Sequence, residues 1–264
     1  MAILTASNRG LRFGDGLFET LKSHNGQVEM ADEHFARLWR GLQLLQFSIP
    51  KHFSPALLEK HISTVLNKNG HHAKARIRIT IFRGDGGLYD AVDHQPNYLV
   101  QSWALPQDNG KLNNNGLVLG VYTGAQKSCD VFSNLKHNNF LPYVMGALHA
   151  KSRKWNDAVI LNSKGMICDT TIANIFFISN GIVYTPAPAS GCVAGVMRKH
   201  ILDSIAGKYA IVEGEFTVGD LLAADEVFLT NSVYNMRWVQ AIDEKKYTNT
   251  VIQKIYTSVF STIS

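Results

Sequence analysis

Four residues in the 264-residue chain could do chemistry together if the fold brings them near one another. Lys136 carries an amine that could act as a nucleophile or move protons, provided that burial or nearby cationic charge keeps it unprotonated. Arg37 carries a planar guanidinium that suits phosphate oxygens, and Gly195 precedes a predicted helix whose first N–H groups could bind the same anion. Asp169 offers a carboxylate. Taken singly, they are a surface lysine, a solvated arginine, a helix-entry glycine and a turn aspartate.

The predicted elements that must position these residues alternate irregularly between helices and strands. Apolar residues at three-to-four spacing predict amphipathic helices over 31–47 and 54–67, and alternation of Ile with Arg and Thr predicts a strand over 75–83. Further strands are predicted at 97–105, 116–123, 157–161, 174–179, 182–185, 226–230 and 236–242, and further helices at 139–154, 196–206 and 249–262. This irregular order predicts a mixed α/β (α+β) protein rather than a regular barrel or a doubly wound sheet.

One stretch, PQDNGKLNNN at 106–115, is polar and rich in turn-forming residues. It predicts a linker between an N-terminal α/β domain over 1–105 and a C-terminal domain over 116–264.

Composition and charge indicate a globular protein and argue against nucleic-acid-binding, membrane-spanning and secreted proteins. The chain is 45% hydrophobic and 18% charged, which is ordinary for a globular protein. Its net charge of +5 could suit either nucleic acid or a small anionic substrate, and this mild basicity alone does not decide between them. Because the basic residues are scattered, we expect no nucleic acid, which leaves a small anionic amino substrate as the expected partner. No apolar run is long enough for a membrane span, and no basic stretch followed by an apolar one predicts a signal peptide.

The cysteines and the missing motifs add to this expectation. Cys129, Cys168 and Cys192 are odd in number and lack CxxC spacing, which predicts free thiols and a cytoplasmic protein. The adjacent histidines His71 and His72 have no spaced third ligand, so the sequence predicts no metal site. It also contains no GxGxxG, Walker A or GxSxG motif, which leaves dinucleotide, nucleoside triphosphate and serine-hydrolase chemistry without support.

The segments around the four chemical residues occur in a familiar order. They are RGLRFGDGLFET (9–20), HFARL (34–38), NLKHNNFLPYV (134–144), CDTTIANIFFISNGIVYTP (168–186), GVMR (195–198) and ADEVFLTNS (224–232). From about residue 9 to 240 the chain resembles the class IV aminotransferase-fold enzymes. These include branched-chain and D-amino-acid aminotransferases and 4-amino-4-deoxychorismate lyase. The resemblance implies pyridoxal 5′-phosphate as cofactor, a homodimer, and a small N-terminal domain followed by a larger pseudo-barrel domain that binds the cofactor.

The resemblance also implies roles for single residues. Lys136 matches the family's lysine that binds the cofactor covalently and moves protons at the substrate's Cα. Asp169 matches the acidic partner of the cofactor's ring nitrogen, a position where the family usually has Glu. Arg37, together with Val196 and Met197 after Gly195, matches the phosphate-binding positions. The position of Ser232 matches a hydroxyl that often contacts the same phosphate.

Several local features resemble the lyase more than the aminotransferases. They are FRGDGGLY (82–89), GVMR, GLFET and the Lys-His pair at Lys136. Arg83 is the first candidate for binding a substrate carboxylate, with Arg78 on the same strand as the second. Alternatively, GDGG is only a hairpin turn and Arg83 its solvated flank. Thr20 is a candidate for assisting proton transfer, or simply a residue that suits a strand.

These resemblances lead to one expected function and two alternatives. The first is a lyase of the folate route that forms 4-aminobenzoate and pyruvate, in which aromatisation would make the shorter Asp169 tolerable. The second is a branched-chain or D-amino-acid aminotransferase that uses the same Lys136, Arg37 and Asp169. The third is a non-catalytic homologue that binds the cofactor, an interpretation that rests on Asp169 and that Lys136 opposes.

Overall fold

The computed structural model describes residues 4–89 and 93–260. The chain divides into two compact units, the first formed by Met1–Asn109 with Leu135–Asn139 and the second by Gly110–Asn134 with Phe140–Ser264. The division after Asn109 falls inside the predicted linker. The short segment 135–139 belongs to the first unit, although the sequence predicted it within 116–264, because its backbone pairs with a strand of that unit.

The first unit is a sheet covered by helices. It contains the helices α1 (Arg9–Phe13), α2 (Ala31–Leu44) and α3 (Pro55–Asn69) and the strands β1 (Gly16–His24), β2 (Gln27–Val28), β3 (Lys74–Phe82) and β4 (Asn97–Ala104). In the described residues the strands form a four-stranded antiparallel sheet in the order β2-β1-β3-β4. Leucines of α2 and α3 pack with alternate residues of β1 and β3 to form one apolar core.

The alternation in β3 decides which residues line that core. Ile77, Ile79 and Ile81 are fully buried, so the side chains of the alternating residues Arg76, Arg78 and Thr80 lie on the other face of the sheet. The predicted strand over 75–83 is therefore confirmed, as are the helices predicted over 31–47 and 54–67 apart from their ends.

The second unit is built on a larger mixed sheet that curls into a half-barrel. It contains the helices α4 (Leu141–Ser152), α5 (Val196–Ile205), α6 (Val218–Ala223) and α7 (Thr250–Phe260), and the strands β5 (Leu117–Lys127), β6 (Asp157–Asn162), β7 (Ile167–Thr170), β8 (Asn174–Ser179), β9 (Ile182–Pro186), β10 (Ile211–Gly214), β11 (Glu226–Asn231), β12 (Asn235–Ile242) and β13 (Lys245–Lys246). The strand order among the described residues is β10-β9-β8-β11-β12-β5-β6-β7, with β13 beside β12. The mixed α/β fold predicted from the sequence is confirmed.

The sequence analysis did not predict several of the helices and strands. The strand β1 is buried at seven of its nine positions, including Glu19 and Lys22, so it lacks the polar–apolar alternation that identifies a half-buried strand. The short elements α1, β7, β10 and α6 have four to six residues each, too few for a periodic pattern. None of the helices within 4–89 and 93–260 is long and apolar enough to cross a membrane.

Candidate active site

Lys136 is held against the beginning of β1 in the first unit. The backbone N–H of Phe18 donates to the Lys136 carbonyl at 2.8 Å, and the N–H of Asn138 donates to the Gly16 carbonyl at 2.9 Å. A side chain at Gly16 would not fit, because its Cβ would lie 2.1 Å from the carbonyl oxygen of Ile81. The Lys136 side chain is half-buried, and its Nζ lies 4.6 Å from the centroid of the Phe18 ring.

Arg78 lies over the same ring. The guanidinium carbon of Arg78 is 3.8 Å from the centroid of Phe18, and Thr20 stands directly opposite Arg78 in the β1–β3 register. Phe18 and Thr20 share one face of β1 because side chains alternate along a strand. We call Phe18, Thr20, Arg78 and Lys136 the Phe18 cluster. Two of the residues predicted from the sequence, Arg78 and Lys136, thus lie over one aromatic ring, and the third, Thr20, stands opposite Arg78 on the neighbouring strand.

The environment of Arg78 suits an anion. Burial, followed by repulsion from Arg76, lowers the pKa of the half-buried Arg78 guanidinium below its usual value. Its Nε donates to the Thr80 hydroxyl at 3.1 Å. A substrate carboxylate would relieve the repulsion between the two arginines.

Arg37 lies in a buried ion pair on the other side of β1. Its Nε and Nη2 donate to the two carboxylate oxygens of Glu19 at 2.8 and 2.5 Å, and Nδ1 of His34 lies 2.9 Å from the same carboxylate. Burial alone would raise the pKa of Glu19, but Arg37 and His34 outweigh it and lower this pKa to about 2. The carboxylate is therefore ionised at neutral pH.

This ion pair bears on the phosphate-binding role predicted for Arg37. Phe18 and Glu19 are consecutive, so their side chains leave opposite faces of β1. Arg37 thus pairs with Glu19 on the helix-covered face, whereas Lys136 lies over Phe18. Phosphate binding by Arg37 stays a prediction. The sequence analysis missed Glu19 and His34, although the spacing of His34 and Arg37 in HFARL places both on one face of α2.

Arg83 occupies a different place from the one expected. Its guanidinium is buried, with Nε donating to Asp15, Nη1 to the Gln46 carbonyl and to His94, and Nη2 to the Leu45 carbonyl. The alternative of a solvated flank is wrong because the side chain is buried. A substrate carboxylate would have to displace protein acceptors from every nitrogen of Arg83. Arg78 is therefore the better placed of the two candidates.

In the second unit, Asp169 lies on β7 with its carboxylate buried. Its Oδ2 accepts hydrogen bonds from the Tyr143 hydroxyl at 2.8 Å and from the Val193 N–H at 2.9 Å, and the Lys127 amine lies 3.5 Å away. Its Oδ1 accepts from the side-chain amide of Asn174 at 2.9 Å. The sequence analysis missed both Lys127 and Tyr143, which lie 42 and 26 residues from Asp169. Tyr143 falls within the segment NLKHNNFLPYV, but nothing in that pattern pairs it with Asp169.

Burial dominates the protonation of these groups. It raises the pKa of Asp169, and the charge of Lys127 and the bonds from Val193 and Tyr143 oppose this rise. Burial and the neighbouring Asp169 raise the pKa of Tyr143 well above its usual value, so its hydroxyl keeps its proton and donates.

Asn174 connects Asp169 to the turn that begins α5. Its side-chain amide also donates to the Val193 carbonyl at 2.9 Å, and a Cβ on Gly195 would lie only 1.9 Å from its Oδ1. Gly195 is the N-cap of α5 and, in the described part of the chain, provides no side-chain cap for the N–H groups of the first turn. The predicted phosphate-binding residues Val196 and Met197 occupy that turn, and Ser232 follows β11.

Comparison with known proteins identifies the class. Residues 16–242 match the family model for amino-transferase class IV. The chain belongs to this family, as its motifs predicted, and it is a pyridoxal-phosphate-dependent lyase or aminotransferase.

Individual relatives include both kinds of enzyme. The chain is 31% identical to aminodeoxychorismate lyase of Vibrio harveyi, over 89% of this chain and 86% of the relative. It is 25% identical to D-alanine aminotransferase of Bacillus licheniformis, over 89% and 82%. The branched-chain amino acid aminotransferase structure from Escherichia coli has the same fold, with a TM-score of 0.84 at 20% identity over 97% of this chain and 87% of the other.

The residues present fit the cofactor of this family. The α5 turn offers backbone N–H groups for a phosphate, next to a glycine position that a Cβ would fill. The buried Asp169 carboxylate lies in the same unit and is joined to that turn through Asn174. In the first unit, Lys136 of the Phe18 cluster offers an amine. Each unit by itself thus offers groups that suit part of a phosphorylated aldehyde with a basic ring nitrogen.

Proposed function

We propose that this protein is a 4-amino-4-deoxychorismate lyase that forms 4-aminobenzoate and pyruvate for the folate route. The observation that carries the proposal is the Phe18 cluster, in which Arg78 and Lys136 lie over one ring and Thr20 stands opposite Arg78. The substrate has two carboxylates and must lose a proton, so a cation and a hydroxyl beside an amine suit it. The relative from Vibrio harveyi supports the same reaction.

Each residue has a definite part in this proposal. Lys136 holds the cofactor, and its freed amine then takes the proton from the substrate carbon that bears the amino group. When bound, pyridoxal 5′-phosphate supplies an electron-withdrawing ring that stabilises negative charge on that carbon. Asp169 would pair with the ring nitrogen, and Arg78 would bind a substrate carboxylate.

A further set of residues would hold the phosphate of the cofactor. We propose that Arg37, Val196, Met197 and Ser232 bind it, the first through charge and the others through N–H and hydroxyl donors.

The elimination balances without any further reactant. Loss of the proton leaves an electron pair that forms the aromatic ring while the enolpyruvyl C–O bond to the ring breaks. The oxygen leaves with its bonding electrons as the enolate of pyruvate, which takes up one proton. In this proposal, Lys136, which now carries the proton, or the Thr20 hydroxyl supplies it.

An aminotransferase is the second candidate, and one observation favours it. The relative from Bacillus licheniformis is a D-alanine aminotransferase that matches 89% of this chain. Lys136, Arg37 and Asp169 would serve that reaction too, and the amino group would pass to a second keto acid. The two functions differ in whether a carbon–oxygen bond breaks.

One experiment separates the functions. The cofactor-loaded protein is mixed with aminodeoxychorismate, and separately with L- and D-amino acids plus a keto acid. Release of pyruvate and 4-aminobenzoate is expected, whereas transfer of the amino group to the keto acid would establish the aminotransferase. Borohydride reduction should label Lys136 in the native protein and give no label in Lys136→Ala. Absence of any label in the native protein would favour a non-catalytic homologue.

We also propose a homodimer in the cytoplasm. The helix α4 is buried on one side and exposes four apolar residues on the other, at Leu141, Val144, Met145 and Leu148. A helix that is apolar all round needs cover on both sides, and a second copy of the chain would supply it. The cysteines Cys129, Cys168 and Cys192 are free thiols, which suits a reducing compartment.

A further inference from the structure

Lys127 is a buried lysine whose described ion pair is with Asp169. It ends β5, its side chain is 5% exposed, and its Nζ lies 3.5 Å from Asp169 Oδ2 and 5.2 Å from the centroid of the Tyr143 ring. Burying an ammonium is costly unless an opposite charge compensates it. Because the Lys127 amine has little contact with water, its charge is compensated by the Asp169 carboxylate.

The charge of Asp169 is balanced inside the protein. Among the described residues, Lys127, Tyr143 and Val193 all direct donors at Oδ2, and Lys127 is the one that carries a charge. The other titratable neighbours are the thiols of Cys168 and Cys192. Burial raises the pKa of both thiols, so they stay neutral and add no charge near the Asp169 carboxylate.

We propose that Lys127 is a positioning residue that shares the charge of Asp169 with the cofactor's ring nitrogen and so weakens that nitrogen's hold on its proton. The proposal rests on the proposed function, in which Asp169 faces the ring. A carboxylate that already has one cation attracts a second one less, and Lys127 repels a protonated ring directly.

Lys127 should therefore affect elimination and amino-group transfer differently. A less protonated ring withdraws electrons less strongly, which slows amino-group transfer, since that reaction depends on the ring to stabilise the carbanion. Elimination also gains from the aromatic ring that it forms. Lys127 therefore favours the lyase over the aminotransferase on the same scaffold.

The test measures the ring nitrogen itself. The protein is loaded with cofactor labelled with 15N in the ring, and the nitrogen signal is recorded for the native chain, Lys127→Met and Tyr143→Phe. Lys127→Met should move the signal towards the protonated position and raise the ratio of amino-group transfer to elimination by about tenfold. Tyr143→Phe is the matched control, because it removes a donor from the same oxygen without removing charge, and it should move the signal much less.

If Lys127→Met does not fold, the protonation of the ring nitrogen in the native protein still tests the proposal. Its ring nitrogen should be only partly protonated at mildly alkaline pH, and a fully protonated nitrogen overturns the proposal. An unchanged signal in a folded Lys127→Met overturns it as well. If the native protein binds no cofactor covalently, that result contradicts the proposed function itself. A bound cofactor with an unaltered nitrogen signal in the variant contradicts only the role of Lys127.

Discussion

Glu19 shows how a single buried carboxylate can make stability depend on pH. Arg37 and His34 lower its pKa from 4.5 to about 2 in the folded chain. A carboxylate whose folded pKa is depressed contributes stability above its unfolded pKa and loses it as the pH falls through the folded value. The affected window is therefore the interval between these two pKa values.

Glu19→Gln should remove this dependence. Between the two pKa values, the free energy of unfolding of the native chain should fall by about 3 kcal/mol more than that of Glu19→Gln. Near neutral pH the variant should be less stable, because Arg37 loses the charge of the Glu19 carboxylate. Urea unfolding over a pH series measures both effects. Glu33→Gln, at an exposed position on α2, is the control, and an equally flat profile there would contradict the assignment to Glu19.

The next prediction concerns Asp169, which stands where the family usually has the longer Glu. It tests whether Asp suits elimination better than amino-group transfer. If aromatisation makes a weaker electron sink tolerable, Asp169→Glu should raise the rate of amino-group transfer more than that of elimination, by about tenfold. Single-turnover rates for both reactions measure this. Equal gains in the two rates would remove the argument.

At the scale of elements, the entrance to α5 depends on the absence of a side chain. Gly195 lies so close to Asn174 that a Cβ would push this amide away from both Asp169 and the Val193 carbonyl. The helix N-terminus and the carboxylate are thus positioned by one shared hydrogen-bonding side chain.

Gly195→Ala should therefore affect stability and cofactor binding together. We expect a loss of about 1–3 kcal/mol in the free energy of unfolding and at least about tenfold weaker binding of pyridoxal 5′-phosphate. Thermal unfolding and a cofactor titration measure these. Gly219→Ala in α6, where the nearest atom lies at 3.4 Å, should leave both unchanged. Unaltered binding in Gly195→Ala would show that the α5 turn does not contact the phosphate.

At the scale of the whole molecule, the exposed side of α4 predicts self-association. Leu141, Val144, Met145 and Leu148 are 42–68% exposed and repeat at helical spacing, so they form one apolar stripe. A second copy that covers the stripe would remove this surface from water.

Leu148→Glu should dissociate the proposed homodimer. A carboxylate placed within the stripe would have to be desolvated in the interface, so the dimer dissociation constant should rise at least about tenfold. Sedimentation velocity over a concentration series measures this. Lys151→Glu changes charge at an exposed position of the same helix and should leave the dimer intact. A native chain that sediments as a monomer would refute the homodimer.

The sequence by itself determined the family and most of the regular elements. The strand β3 and the helices α2 and α3 follow from local periodicity, because each buries one face and exposes the other. The order of the motifs identified the family, and the matching family model covers residues 16–242.

Tertiary structure alone decided which partners the chemical residues have. Lys127 and Asp169 are 42 residues apart, and Arg83 and Asp15 are 68 apart, so no local pattern predicts either pair. The pairing of Glu19 with Arg37 likewise requires β1, which the sequence analysis missed because most of its side chains are buried on both faces. Buried charges must find opposite charges wherever packing brings them, and packing depends on the whole chain.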